Sequence, residues 1–281
     1  MGFYDLLQEL SNDALREKTP MGIPLEQVLS DDPDHEYLLF TGYLYQMTPY
    51  MEALRNIFEK YEEESRLMYS AYPLFKGLMW HFARPSKAEK ERYYNIIRRA
   101  YADLKKKIDI GYDSKIDAYS GIIYHDFGLP VFEEYAKRLS ERLMGKKLVT
   151  LDPHTTYALR VLFKKVNPAF NAEIHHYAEF LSVKNAADFV DHESCYLNRY
   201  LKLNYGSDAA KLPSSGKETG CCGGPIEFIS PRLATSIANS RVDELMSSGK
   251  NKILVWCPVC LSNLSRIRKA EVVDALELEH D

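Results

Sequence analysis

The sequence predicts an α/β protein made of two similar units, each with a small parallel sheet covered by helices. Residues 147–151 (KLVTL) form a short apolar run that leads directly into a segment with helical spacing. Residues 252–256 (KILVW) do the same near the C-terminus. Repeated strand-to-helix segments of this kind are typical of parallel sheets with covering helices. The chain has 281 residues, 46% of them apolar, which is enough for one large core or two ordinary ones.

The two strand-to-helix segments also align residue by residue. Each apolar run is followed, after one residue, by a proline, Pro153 in the first copy and Pro258 in the second. When the segments are aligned on these prolines, Asp152 corresponds to Cys257 and Thr155 corresponds to Cys260. The first copy therefore has no cysteine at either position. The match predicts two halves of similar topology.

Three parts of the chain are predicted from these patterns. Residues 1–35 contain three prolines among short helical pieces and are expected to form an N-terminal arm on the surface of the core. Residues 36–165 form a first half without cysteine, and residues 166–281 form a second half that contains all five cysteines. The segment 108–143 is expected to be additional material within the first half.

Hydrophobic spacing predicts the remaining elements. Residues 36–41 (EYLLFT) are expected to form a short buried strand. Helices with one apolar face are predicted at 49–65, 87–108, 130–143 and 231–247. The tract 205–220, which is rich in Gly, Ser and Lys, is predicted to be a surface loop that leads to the paired cysteines.

Charge and hydropathy exclude several functional classes. The chain has 36 basic and 40 acidic residues, and both signs are mixed along it, which argues against nucleic acid as a main partner. The longest apolar stretch, 253–261, is far shorter than the roughly 20 residues of a membrane-spanning helix. The N-terminal segment is acidic and has no signal-peptide pattern. These features predict a cytoplasmic protein without a membrane span, free or docked on a complex.

The cysteines give the clearest functional signal. All of them lie in the last third of the chain: Cys195, Cys221, Cys222, Cys257 and Cys260. An odd number of cysteines in a chain of this size, without an export signal, argues against a framework of disulfides. Adjacent cysteines are also poor partners for each other in a disulfide, because closing so small a ring strains the backbone.

The spacing of the cysteines favours a metal centre. In Cys257-Pro258-Val259-Cys260, two thiolates at the start of a helix can face one metal, and the helix N-terminus stabilises their charge. The glycines that follow Cys221 and Cys222 allow the backbone to pass close to a bulky inorganic group. A tetrahedral zinc site uses four ligands, and a redox dithiol uses two, whereas an iron–sulfur cluster can use all five cysteines. Zinc and metal-free thiol chemistry stay open as alternatives.

The order of the motifs SCYLNR, TGCCGG and VWCPVC resembles the cysteine-rich CCG domain of the heterodisulfide reductase family. Similar domains occur in subunits of glycerol-3-phosphate, glycolate, lactate and one type of succinate dehydrogenase, and such proteins typically carry two copies. The resemblance implies an oxidoreductase subunit in which the five cysteines bind one unusual, non-cubane 4Fe–4S cluster. It also implies a disulfide or other sulfur substrate, and a ferredoxin-like iron–sulfur subunit or a flavoprotein subunit as partner.

The first half departs from this pattern. Tyr43 takes the place of the opening cysteine, and Phe75 and Lys76 take the place of the pair, with Gly77 retained. Together with Asp152 and Thr155, these replacements leave the first half without a set of thiolate ligands. The sequence therefore predicts one cluster per chain, with the first half acting as scaffold, substrate wall or docking surface. A non-redox scaffold stabilised by zinc is the alternative from a different functional class.

Two histidines are candidate catalytic residues. His154 lies in the degenerate turn of the first half, and His192 precedes Cys195 by three residues. Either can donate a proton to a leaving thiolate, although a histidine near a cluster also commonly serves in packing. His175 and His176 are further candidates of the same kind. No nucleotide fingerprint such as GxGxxG is present, so electrons are expected to pass through another chain.

Overall fold

The computed structural model describes residues 2–60, 80, 83–203, 205–227 and 229–281. Its strands form two sheets in which all strand pairings are parallel. The first sheet has the order β2-β1-β3-β4, with β1 at Tyr37–Phe40, β2 at Ile110–Tyr112, β3 at Lys147–Thr150 and β4 at Glu173–His176. The second has the order β5-β6-β7, with β5 at Phe189–His192, β6 at Lys252–Val255 and β7 at Glu271–Asp274. These sheets and their flanking helices confirm the predicted α/β fold.

Helices flank both sheets. Within the described residues they are α1 (Gly2–Leu15), α2 (Leu44–Lys60), α3 (Lys87–Lys105), α4 (Ile122–Asp126), α5 (Val131–Leu143), α6 (Pro153–Tyr157), α7 (Phe163–Val166), α8 (Pro231–Met246) and α9 (Pro258–Ser265). Two segments have π-helical hydrogen bonding, Ala158–Leu162 between α6 and α7, and Tyr196–Leu201 after β5. None of the described helices is long and apolar enough to cross a membrane.

Three predicted helices are confirmed as α3, α5 and α8, each within three residues of its predicted ends. The predicted start of α2 at Pro49 is wrong, because the helix begins at Leu44. Leu44 and Met47 are buried in the core, and their packing stabilises the helical turn that precedes Pro49. Pro49 itself removes only one main-chain hydrogen bond. The predicted end of this helix, near residue 65, lies outside the described residues.

The two sheets correspond strand for strand. Asp152 caps α6 after β3 by accepting a hydrogen bond from the Thr155 amide at 2.9 Å, and Cys257 occupies the cap position of α9 after β6. β4 and β7 also match, since both have alternating burial and lead into a one-turn 3₁₀ helix with a capping box. Thus β1, β3 and β4 are equivalent to β5, β6 and β7. The first sheet therefore extends beyond residue 165, where the second half was predicted to begin.

The N-terminal segment takes part in the core. Leu6, Leu10 and Ala14 of α1 are buried in the same cluster as Leu38 and Phe40 of β1. Helix α1 also contacts α5, which belongs to the additional segment of the first half. The apolar stripe of α1 is thus packed against the first unit, which removes these side chains from water.

Buried polar contacts connect the two units. The Tyr45 hydroxyl of α2 donates to Asp274 Oδ2 at the end of β7, 2.9 Å away. Arg55, further along α2, donates to Glu227 Oε2 at 3.3 Å and to Ser262 Oγ at 2.9 Å. The side chains of Arg55 and Glu227 are only 5% and 3% exposed, so each is the other's main counter-charge. Helix α2 thereby fixes the first unit against the turns that carry the cysteines.

A buried carboxylate orders the turn after β1. Asp117 Oδ1 accepts from the amides of Thr41 and Gly42, at 2.9 and 3.3 Å, and Oδ2 accepts from the hydroxyls of Thr41 and Tyr112. Burial raises the pKa of Asp117 to about 7, and the hydrogen bonds only partly oppose this shift. The native protein therefore favours the protonated carboxyl.

We expect the stability contributed by Asp117 to be full below about pH 4 and to decline as the pH rises towards 7. The folded-state pKa is raised above the usual 3.8, so the unfolded chain releases this proton first. From pH 5 to pH 7 the loss is about 2 kcal/mol of unfolding free energy. Urea unfolding at pH 5, 6 and 7 measures the unfolding free energy of wild type and of Asp117→Asn. The unfolding free energy of the variant should rise relative to that of wild type as the pH increases. Asp188→Asn, at an exposed position, is the control, and a difference independent of pH would contradict the prediction.

Candidate metal centre

The paired cysteines lie in a tight turn packed against α9. Gly223 has φ of +82°, a conformation that side chains rarely adopt. A Cβ atom at Gly224 would lie 2.2 Å from Val259 Cγ1, so only glycine fits there. The amides of Gly223 and Gly224 donate to the sulfurs of Cys221 and Cys222, at 3.3 and 3.4 Å. This turn therefore places both thiols on its inner side and stabilises negative charge on them.

The second cysteine motif begins helix α9. Cys257 is the N-cap residue and Cys260 is the third residue of the helix. Both cysteines are buried. The Asn263 side chain, one turn further along α9, donates to the Cys222 carbonyl and so ties the helix to the paired-cysteine turn.

The structure brings all five thiols together. Cys195 follows β5, and its thiol neighbours that of Cys221, which in turn neighbours Cys222. Cys222 neighbours Cys260, and Cys260 neighbours Cys257, so the five thiols form one continuous group. None of the five is in a disulfide. Cys195 and Cys221 are partly exposed and the other three are buried, so the group has one edge that faces outwards.

Electrostatics favour thiolate at Cys257. Burial opposes the charge, but hydrogen bonds from Cys260 and the neighbouring His154 lower the pKa of Cys257 to about 5. His154 Nδ1 lies 3.7 Å from Cys257 Sγ and 3.6 Å from Asp152 Oδ1. Burial alone would lower the pKa of His154, but the Cys257 thiolate and Asp152 raise it to about 10. The first unit thus contributes a hydrogen-bond donor to the cysteine group.

The predicted histidines fall into two sets. His154 and His192 both reach the cysteines, and a ring nitrogen of His192 lies within 4.8 Å of the sulfurs of Cys222 and Cys260. His175 is instead paired with Glu173 and Glu179, and His176 caps the turn after β4. The described contacts of His175 and His176 are therefore with residues at or next to β4 and not with the cysteines.

The corresponding turns of the first unit are filled by protein atoms. Tyr43 follows β1 where Cys195 follows β5, and its hydroxyl donates to the Asp117 carbonyl at 2.8 Å. A Cβ atom on Gly42 would lie 2.0 Å from Thr155 Oγ1, so the turn after β1 is in close contact with α6. Phe75, Lys76 and Gly77 lie outside the described residues.

A cavity of about 440 Å³ opens onto the exposed edge of the cysteine group. Its lining includes Cys195, Cys221 and His154, and its other walls are largely apolar and aromatic, from both units. Tyr196 separates the cavity from the first-unit core, and its ring lies 4.3 Å from that of His154. Sequence reasoning did not identify Tyr196, Asn263 or Arg241 as parts of the site. Proximity of Tyr196 to Cys195 in the chain was the only available signal.

A comparison with protein families agrees with this geometry. Residues 190–265 match the cysteine-rich CCG domain. The matched segment contains most of β5, the paired-cysteine turn, β6 and α9, and so includes all five cysteines. CCG domains are found in iron–sulfur oxidoreductase subunits. No curated protein matches the chain significantly.

The donor set of the matched segment fits an iron–sulfur cluster. Five neighbouring thiols, linked pair by pair, can provide soft, anionic ligands, which iron–sulfur clusters and zinc both prefer. A Cβ atom on Gly224 would lie 3.4 Å from Cys222 Sγ, so this glycine leaves space next to that sulfur. In addition, His192 Nε2 is buried without a hydrogen-bond partner among the described residues, and one ring nitrogen of His192 lies within 4.8 Å of the sulfurs of Cys222 and Cys260. Bound cluster sulfur would provide such a partner.

We expect Gly224→Ala to destabilise the protein by about 1–3 kcal/mol, because its new methyl group would overlap Val259. The turn must shift to relieve this overlap, so metal content should also fall. The double variant Gly224→Ala, Val259→Ala removes the obstructing Cγ1 and should recover part of both losses. Thermal unfolding and metal analysis of the two single variants and the double variant measure this coupling. Purely additive effects would show that the contact with Val259 is not the cause.

Proposed function

We propose that this chain is the iron–sulfur subunit of a heterodisulfide reductase-like oxidoreductase, located in the cytoplasm. In this proposal Cys195, Cys221, Cys222, Cys257 and Cys260 hold one non-cubane 4Fe–4S cluster. The observation that carries the proposal is the convergence of five thiols into one group whose exposed edge faces a cavity. A tetrahedral zinc site would leave one of these thiols without a role.

The surroundings of the thiols support a redox role with a sulfur substrate. When bound, the cluster supplies one-electron chemistry and an iron that a substrate sulfur can reach. The cavity leads to Cys195 and Cys221, so a disulfide or other sulfur compound would approach on that side. The walls of the cavity are largely apolar, and the burial of Cys222, Cys257 and Cys260 protects the opposite side of the thiol group from solvent.

The two candidate histidines would have different roles. His154 lines the cavity and contacts Cys257, so it can orient both an incoming sulfur and a ligand thiolate. His192 is 1% exposed and is absent from the described cavity lining. The geometry therefore favours His154 as the residue that meets the substrate.

The absence of a GxGxxG-type fingerprint for a nicotinamide or flavin nucleotide supports a partner that exchanges electrons with this chain. We propose a ferredoxin-like iron–sulfur subunit or a flavoprotein. Tyr200 and Ile229 line the mouth of the cavity and are 52% and 56% exposed, which makes this rim apolar. Affinity purification from native cells under anaerobic conditions should recover such a redox protein. Direct reduction of a disulfide by the isolated chain with a nicotinamide donor would contradict the subunit proposal.

Metal analysis of anaerobically purified protein tests the proposed cofactor. A brown protein with iron and acid-labile sulfide in equal amounts, and an EPR signal in one oxidation state, is the expected result. A colourless protein with one zinc per chain would instead identify a scaffold stabilised by zinc. Reconstitution with iron and sulfide, followed by the same measurements, checks that the result does not depend on the expression host.

A further inference from the structure

His192 occupies a special position behind the cysteine group. It is the last residue of β5 and is 1% exposed. One of its ring nitrogens lies within 4.8 Å of the sulfurs of Cys222 and Cys260, which are themselves buried. A histidine beside two cysteines can act either as a metal ligand or as a hydrogen-bond donor to sulfur. The protonation of its two nitrogens decides between these roles.

Arg241 of α8 determines which nitrogen carries the proton. Its Nε donates to His192 Nδ1 at 3.2 Å. Because a guanidinium group has only donors and keeps its charge in proteins, Nδ1 must be the acceptor in this contact. The neutral ring consequently carries its proton on Nε2.

The position of Arg241 is itself fixed. The residue is 4% exposed, and its guanidinium donates to Glu244 Oε2 at 2.6 Å and to Thr219 Oγ1 at 3.4 Å. These contacts orient Nε towards His192. Nε2 of His192 has no hydrogen-bond partner in the part of the chain that the structure describes. A nitrogen that carries a proton has no lone pair for a metal, but it has a hydrogen to donate.

We infer that His192 is an N–H donor to a sulfur atom of the metal centre and not a metal ligand, with Arg241 as the positioning residue that fixes its tautomer. The part of this inference that concerns the loaded centre rests on the proposed function. The N–H group places partial positive charge next to the sulfurs. It stabilises the reduced centre, which carries more negative charge, and so raises the midpoint potential.

The tautomer can be measured without any metal. In ¹⁵N-histidine-labelled, metal-free protein, NMR should show a protonated Nε2 and an unprotonated Nδ1 for His192. Loss of these two resonances in His192→Gln identifies them. A protonated Nδ1 would overturn the inference, because Nε2 would then be available as a metal ligand.

Variants of the loaded protein test the role at the metal centre. Glutamine retains an N–H donor near the position of Nε2, whereas leucine retains the bulk without a donor. We expect wild-type iron content in both variants, a lower midpoint potential in His192→Leu, and a potential close to that of wild type in His192→Gln. Loss of iron in both variants, or equal potentials in all three proteins, would overturn the inference. Absence of iron from the wild type would instead refute the proposed function, and the NMR result would still decide the tautomer.

Discussion

Replacing Cys257 by serine is expected to abolish or severely disturb cluster binding. A hydroxyl is a much poorer ligand for iron than a thiolate. Cys257 is completely buried, and Cys260 and His154 both stabilise its negative charge. Serine would place a protonated hydroxyl in an environment arranged for an anion. Cys222→Ser should have an equally large effect, because Cys222 connects the paired-cysteine turn to Cys260.

Iron content, acid-labile sulfide and visible absorption of the reconstituted variants measure this loss. Lys202→Ser is the matched control, since the same residue is introduced at an exposed position close to the site in the chain. It should bind iron as wild type does. Wild-type iron content and spectra in both cysteine variants would rule out the proposed ligand set.

The sequence predicted the elements that local patterns encode. The strands β3 and β6 and the helices that follow them are marked by apolar runs and prolines, so both were found from one repeat. The cysteine motifs were also visible, because each depends on residues that are close in the chain. Pro49 misled the prediction of α2, since the packing of earlier residues outweighed a local helix-breaking signal.

Contacts between distant residues were not predictable in the same way. Arg241 and His192 are separated by 49 positions, and nothing in either local sequence indicates their hydrogen bond. Burial of α1 and the position of β4 in the first sheet likewise depend on tertiary packing. His154 was suggested by its place in the degenerate turn, but its contact with Cys257 requires both units to face each other. Helix α2, through Arg55 and Tyr45, maintains that arrangement.

We expect fully loaded protein to hold one cluster per chain, with about four irons. A protein with two complete CCG units would instead hold about eight. The described turns of the first unit offer no thiolate. Tyr43 replaces the opening cysteine, and the described contacts show Gly42 against Thr155. Asp152 is a poor substitute for a thiolate, since its carboxylate caps α6 and contacts His154.

Quantitative iron and sulfide analysis of fully reconstituted protein decides this count. Asp152→Asn keeps the cap acceptor and removes the charge, so it should leave the iron content at the wild-type value. Loss of about half the iron in that variant, or about eight irons in wild type, would show that the first unit also binds a cluster. Reduction of a disulfide takes two electrons. If the chain holds one cluster, two facing clusters of the same chain cannot supply one electron each. The second electron must then come from the partner, or the chain must transfer electrons singly.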